Sequence, residues 1–298
     1  MNILWAISEI RTPLLDKLFQ IITYFGQEVI VIAVICFLYW CYNKRLAYQI
    51  GMTYFTAGLF VQTSKIIFRI PRPWILDADF KAVDSAIAGA TGYSFPSGHT
   101  QAATSLFAPL ALNTKKIWLK LVFVFCFLAI GFSRMYLGVH TPKDVLVSMG
   151  ISLLFSLLIW YLQDTLINRP QYTKYISAIL AGISLAVITL ALILLHSGTI
   201  ENHYAVDCCK AAGAGLGFAA GFYIERSYLN FMPQTKTIWG QALKLIIGLG
   251  ITLFIKSSFT SLFGRTVLAK MTEYFILVLW VLVIYPWLFS KFSLREDG

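Results

Sequence analysis

Three short clusters hold most of the reactive side chains of this chain. The first runs from Lys65 to Arg72-Pro73 (KIIFRIPRP). The second is YSFPSGH, ending in Pro96-Ser97-Gly98-His99. The third runs from Ser133-Arg134 through His140-Thr141-Pro142-Lys143 to Asp144. Lys65, Arg72 and Arg134 at one interface are costly unless an anion joins them. Arginine offers a planar fork suited to phosphate oxygens, and lysine a point charge. Pro96-Ser97-Gly98 reads as a helix start, whose free N–H groups favour an anion, and Gly98 lets that anion approach the backbone. The guest these types suit is a phosphoryl group. His140 lies four residues before Asp144. A carboxylate there can take one ring N–H and leave the other nitrogen nucleophilic. His99 is placed to act as the general acid.

Each residue also has a plainer reading. Thr141-Pro-Lys-Asp144 fits a capping box, so Asp144 is either a helix cap or the carboxylate that orients His140. Ser97 fits a simple N-cap. Lys65 and Arg72 fit interfacial anchors that reach to water. His196 and His203 have no cationic company and read as ordinary interface histidines. Three clusters with complementary chemistry at one membrane face favour a site.

The elements that must position these groups are apolar. Of 298 residues, 58% are hydrophobic and 13% charged, with mean hydropathy +0.72. A soluble domain carries about a quarter charged residues, so the surplus points to a multi-pass helical membrane protein. Nine stretches are candidate spans, near 27–42, 47–68, 98–113, 117–136, 143–162, 175–196, 208–225, 238–256 and 273–290. Gly213, Gly217 and Gly221 give the seventh a small face for close helix packing. Ile3, Leu4, Ile7, Ile10, Leu14, Leu18 and Ile21 recur at helical spacing, which predicts an amphipathic helix over 1–26, either at the membrane surface or packed on the bundle. No cleavable signal peptide is expected there, because Glu9, Arg11, Asp16 and Lys17 interrupt it. The five cysteines read as small hydrophobes rather than a disulfide framework. Basic residues scattered among apolar spans argue against nucleic acid despite the net charge of +10. No cluster has metal-ligand spacing, so neither metal nor cofactor is expected. Lys44, Arg45, Lys115, Lys116, Lys120, Arg169, Lys174, Arg226, Lys236, Lys291 and Arg295 fall on one side of the nine-span layout, which predicts that side as cytoplasmic. The three clusters then face outward.

The clusters resemble the signature of the type 2 phosphatidic acid phosphatases, the membrane branch of the superfamily that holds vanadium haloperoxidases and glucose-6-phosphatase. The pattern K-x6-R-P, P-S-G-H, S-R-x5-H-x3-D is met by Lys65 to Arg72-Pro73, by Pro96 to His99, and by Ser133-Arg134 to His140 to Asp144. The resemblance implies His140 as a nucleophile forming a phosphohistidine, Asp144 as its orienting partner and His99 as the acid. It implies Lys65, Arg72, Ser97, Gly98 and Arg134 as phosphate ligands, with no metal. It implies an all-α, multi-pass transmembrane bundle. A six-helix core would cover 27–196, with three additional spans over 197–298. The expected activity is hydrolysis of a lipid phosphate or diphosphate, such as an isoprenyl diphosphate, a phosphatidic acid or a phosphatidylglycerol phosphate. A soluble sugar phosphatase, a lipid phosphotransferase and an anion transporter are the alternatives. A bacterial cytoplasmic membrane with an extracytoplasmic site is the expected location.

Overall fold

The computed structural model describes residues 1–233 and 237–293; Lys236 and Arg295, counted above among the basic residues, lie outside them. The described chain is helical. Its elements are α1 (Asn2–Glu9), α2 (Pro13–Tyr24), α3 (Glu28–Phe37), α4 (Lys44–Phe68), the short α5 (Pro73–Leu76) and α6 (Asp84–Ile87), α7 (Gly98–Asn113), α8 (Ile117–Tyr136), α9 (Pro142–Tyr161), α10 (Thr173–His196), α11 (Asn202–Ile224), α12 (Ile238–Phe263), α13 (Val267–Leu279) and α14 (Tyr285–Ser293). A π-helical stretch, Leu38–Tyr42, prolongs α3, and another, Trp280–Ile284, joins α13 to α14.

Each of the nine expected stretches lies on helical chain, although 27–42 runs from α3 into its π-helical extension and 273–290 runs across α13, the second π-helical stretch and α14. Among the described residues, five helical stretches are long and apolar enough to cross a membrane by themselves, and six if the bent pair Pro13–Tyr24 and Glu28–Tyr42 is one span. The protein is therefore an integral, multi-pass membrane protein. α7 has 16 residues, short of the about 20 that a hydrocarbon core demands. Its Thr100, Gln101, Thr104 and Ser105 are buried inside the bundle, as the sequence predicts.

The N-terminal segment forms two helices rather than one. Thr12 accepts from Leu15 N and Pro13 occupies the first helical position, so the chain stops and restarts there. Arg11, at the break, donates through Nε to Tyr136 O (2.9 Å) and through Nη1 to Lys81 O (2.6 Å). Leu4 is fully buried, and Ile7, Leu15 and Phe19 pack on the cluster around Tyr136, Leu137 and Val139. Ile3, Ile10, Leu14, Leu18 and Ile21 point outward. The pair is thus docked on the bundle with a second apolar side exposed.

The glycine face of α11 lies on α13. A Cβ at Gly213 would stand 2.2 Å from Met271 O, and one at Gly217 2.7 Å from Phe275 O. On the other side, a Cβ at Gly215 would meet Ser184 Oγ of α10 at 2.5 Å and Leu59 of α4 at 3.2 Å. Close backbone approach thereby makes α11 the central post of the bundle, packed between α13 on one side and α10 and α4 on the other. At the end of α4 remote from the clusters, the fully buried Glu225 accepts from Lys44 Nζ (2.5 Å), Phe231 N (2.8 Å) and Tyr48.

Candidate active site

Each cluster stands where a helix begins or ends, and all three meet at one end of the bundle. Lys65 occupies the last turn of α4, where Arg69 takes a left-handed conformation (φ 49°) and turns the chain. Its Nζ donates to Tyr93 O. Arg72 precedes α5 and is held by three contacts: Nε to Gly92 O (2.8 Å), Nη1 to Val139 O (2.9 Å) and Nη1 to His140 Nε2 (2.9 Å). Arg134, in the last turn of α8, donates through Nη1 to Thr23 Oγ1 of α2 (2.8 Å). Its buried Nε has no partner among the described residues.

His140 lies between α8 and α9 and is 2% exposed. A guanidinium only donates, so its contact requires a lone pair on His140 Nε2 and puts the ring proton on Nδ1. Nδ1 faces Asp144 Oδ2 at 3.5 Å. That is longer than a formed hydrogen bond, a distance that can tighten in a reacting complex. Burial, with Arg72, Arg134 and Lys65 nearby, pushes the His140 imidazole well below the usual histidine range. The ring is accordingly neutral.

Asp144 forms the capping box and also lies near the His140 ring. Its Oδ2 accepts from Thr141 N (2.8 Å), Thr141 Oγ1 accepts from Asp144 N, and together they form a capping box. The same oxygen accepts from Ser94 Oγ (2.5 Å) and faces His140. The cap fixes the carboxylate in the position from which it meets the ring.

Ser97, expected among the phosphate ligands, caps the first turn of α7. It is fully buried, its Oγ accepts from Thr100 N and Oγ1, and its N–H donates to Asp144 O (3.1 Å). Ser148 Oγ donates to Ser97 O (2.6 Å). These bonds tie the start of α7 to the start of α9. The six others expected at the site, Lys65, Arg72, Gly98, His99, Arg134 and His140, line a cavity of about 400 Å³, whereas Ser97 and Asp144 stand behind its wall. A Cβ on Gly98 would meet nothing within 4 Å, so the first turn of α7 opens onto that space. The N–H groups of such a turn have no intrahelical acceptor.

Residues 45–168 match the PAP2 superfamily, and residues 209–297 match the transmembrane extension of PAP2 superfamily phosphatases. The chain belongs to the PAP2 superfamily. Among curated PAP2 relatives, sphingosine-1-phosphate phosphatase 1 of Rattus norvegicus is 25% identical over 78% of this chain and 57% of its own length. Undecaprenyl-diphosphatase BcrC of Bacillus subtilis is 28% identical over 54% of this chain and 80% of its own. The chain therefore spans little more than half of the rat protein. The crystal structure of Aquifex aeolicus LpxE aligns at 26% identity and a TM-score of 0.45, over 53% of this chain and 92% of that one.

The structure adds residues that motif reading passed over. Thr23 and Ser94 position Arg134 and Asp144. Thr23 is far from Arg134 in sequence and carries no local signal, whereas Ser94 stands inside the second cluster, where the motif gives it no role. Glu28, Asp207, Lys210 and Lys256 also line the cavity. A signal for these existed, since charges within apolar spans are expensive and mark function.

Proposed function

We propose that the chain is a metal-independent membrane phosphatase that hydrolyses a lipid phosphate through a phosphohistidine. The observation carrying this reading is the line Arg72–His140–Asp144. A lone pair on Nε2 faces the cavity among three cations, and a carboxylate lies behind Nδ1. The phosphoryl oxygens take up Lys65, Arg72, Arg134 and the N–H groups of Gly98 and His99. Arg72 then exchanges its contact with Nε2 for one with phosphate, which frees the nucleophile. Nε2 attacks phosphorus in line, the ester P–O bond breaks, and His99 protonates the departing oxygen. Asp144 stabilises the cationic ring. Water, giving its proton to His99, attacks the phosphohistidine and releases phosphate. The cations supply the charge stabilisation that a metal supplies elsewhere.

The names of the relatives, a sphingosine-1-phosphate phosphatase and an undecaprenyl-diphosphatase, support a lipid substrate. So does the position of the cavity at helix ends, the depth of a headgroup. In this reading residues 27–196 form the catalytic core, 1–26 brace Arg134, and 197–298 wall the cavity. The site faces the extracytoplasmic side of a bacterial cytoplasmic membrane, the less basic side of the layout. Phosphate release from the detergent-solubilised chain in EDTA, screened over lipid and soluble phosphates, tests the reading. His140→Ala abolishes release. Substantial residual turnover by this variant would sink the phosphohistidine, and a need for added magnesium would sink the cation-only site. Vanadate inhibits in competition with substrate.

A further inference from the structure

Beside the phosphate cavity lies a second one, of about 220 Å³, with an apolar lining. Ile32 and Ile35 of α3, Phe218 of α11, Leu249 of α12 and Val278 of α13 are among its walls. The two cavities share Glu28, Tyr54, Gln62, Lys210, Lys256 and Tyr274, so they meet at a common collar. There Glu28 accepts from Lys210 (3.0 Å), from Lys256 (3.1 Å) and from Tyr274. One carboxylate is thereby engaged by two ammonium groups, whose side chains remain 28% and 34% exposed. Each ammonium carries three donors and uses one on Glu28. The collar offers spare donors, and two carboxylates, Glu28 and Asp207, stand against its two ammonium groups. Val29 of α3, which lines both cavities, and Leu253 of α12, which lines the chamber, are themselves exposed, so the chamber opens sideways between two spans.

We propose that this chamber holds the hydrocarbon chain of the substrate, and that the collar binds the polar oxygens joining that chain to the phosphate. The inference rests on the phosphatase reading and specifies its substrate: a lipid phosphate with one chain. Three features carry it. The chamber is continuous with the phosphate cavity, so one molecule reaches both. Its lining is apolar, and an apolar cavity of this size in a packed interior is a cost unless filled. It is smaller than the roughly 300–1,000 Å³ of a drug-sized site, which suits one chain rather than two. The lipid enters between α3 and α12, its phosphate passes the lysines, and its chain stays behind. The C-terminal spans supply Lys210, Lys256 and Tyr274, and so act in substrate selection.

The test uses the full chain in detergent micelles. Octadecyl phosphate bearing a diazirine in its chain is photolysed with the His140→Ala protein, and the adducts are mapped by mass spectrometry. The expected adducts fall on chamber residues such as Ile32, Leu249 and Val278, and excess unlabelled octadecyl phosphate suppresses them. Adducts confined to the outer surface, at Phe125 or Leu154, overturn the proposal, as does the absence of adducts. In the wild type, octadecyl phosphate is turned over at least tenfold faster than a diacylglycerol phosphate at equal surface fraction; equal rates overturn the single-chain assignment. Ala33→Trp, which fills the chamber, lowers the ratio of kcat/KM for octadecyl over butyl phosphate at least tenfold, and an unchanged ratio counts against the chamber. A wild type that releases phosphate yet labels elsewhere refutes the chamber alone. A wild type that releases none refutes the phosphatase reading beneath it.

Discussion

Asp144 accepts hydrogen bonds from Thr141 N and Ser94 Oγ, and faces the His140 ring at 3.5 Å without a formed bond. Asn at this position keeps the shape but removes the charge that stabilises a cationic imidazole. Asp144→Asn is expected to lower kcat by about 10²–10⁴-fold, in line with the same change in a serine protease triad. Ser94→Ala, which leaves the charge, is expected to cost far less. A mild loss for Asp144→Asn, with a lowered Tm, would make the residue a cap only. The neutral state of His140 sets a pH expectation. Its pKa is pushed down in the folded protein, so protonation and loss of the nucleophile occur below the usual value of about 6.5. The acidic limb of kcat/KM, which reports the free enzyme, should therefore lie under about pH 6.5. The same sign applies to stability. As pH falls below that value the unfolded chain binds a proton that the folded chain refuses, so Tm in detergent should drop.

At the scale of elements, two contacts decide whether the cations meet the nucleophile. Thr23 brings α2 to Arg134, and Gly26 lets the chain between α2 and α3 lie against the start of α7. A Cβ at Gly26 would stand 2.8 Å from Ile130 Cγ2 and 3.0 Å from His99 O. Gly26→Val should push the α7 start away from α9 and lower kcat at least tenfold with helical circular dichroism intact, since a displacement of about 1 Å in a site can cost 10²-fold. Gly213→Val acts differently. It drives a side chain into Met271 O, separates α11 from α13, and should lower Tm by the effect of an overpacking cost of about 1–3 kcal/mol or more. Activity normalised to folded protein should change less than in Gly26→Val.

The cluster loops stand at one end of the molecule, and the nine-span layout expects most of the basic residues on the other side. Under the positive-inside rule, a membrane-impermeant thiol reagent applied to intact cells should label Asp79→Cys, an exposed site beside the candidate active site, and spare Lys115→Cys, an exposed site on the opposite side. The reverse pattern would turn the enzyme over in the membrane.

The helical class, the helical stretches and the three clusters were legible in the sequence because each rests on a local signal, although among the described residues only five or six stretches are long and apolar enough to cross a membrane. Apolar run length marks a span, Thr-Pro-x-Asp marks a helix start, and the motifs carry their own spacing. The break at Thr12-Pro13 was legible too, but apolar spacing on both sides of it masked the stop. What only tertiary structure decided is which groups face which. Ser97 reads as a ligand or a cap from sequence, and packing gives it contacts no motif shows, with Thr100 donating to its Oγ and its N–H donating to Asp144 O. Glu28, Lys210, Lys256 and Tyr274 are spread over more than two hundred residues and meet because α11 carries glycine where α13 and α10 press on it. A pairing of that kind has no periodicity to announce it. It exists only once the helices are packed, because burial leaves a charge no water and obliges it to find a partner across the bundle.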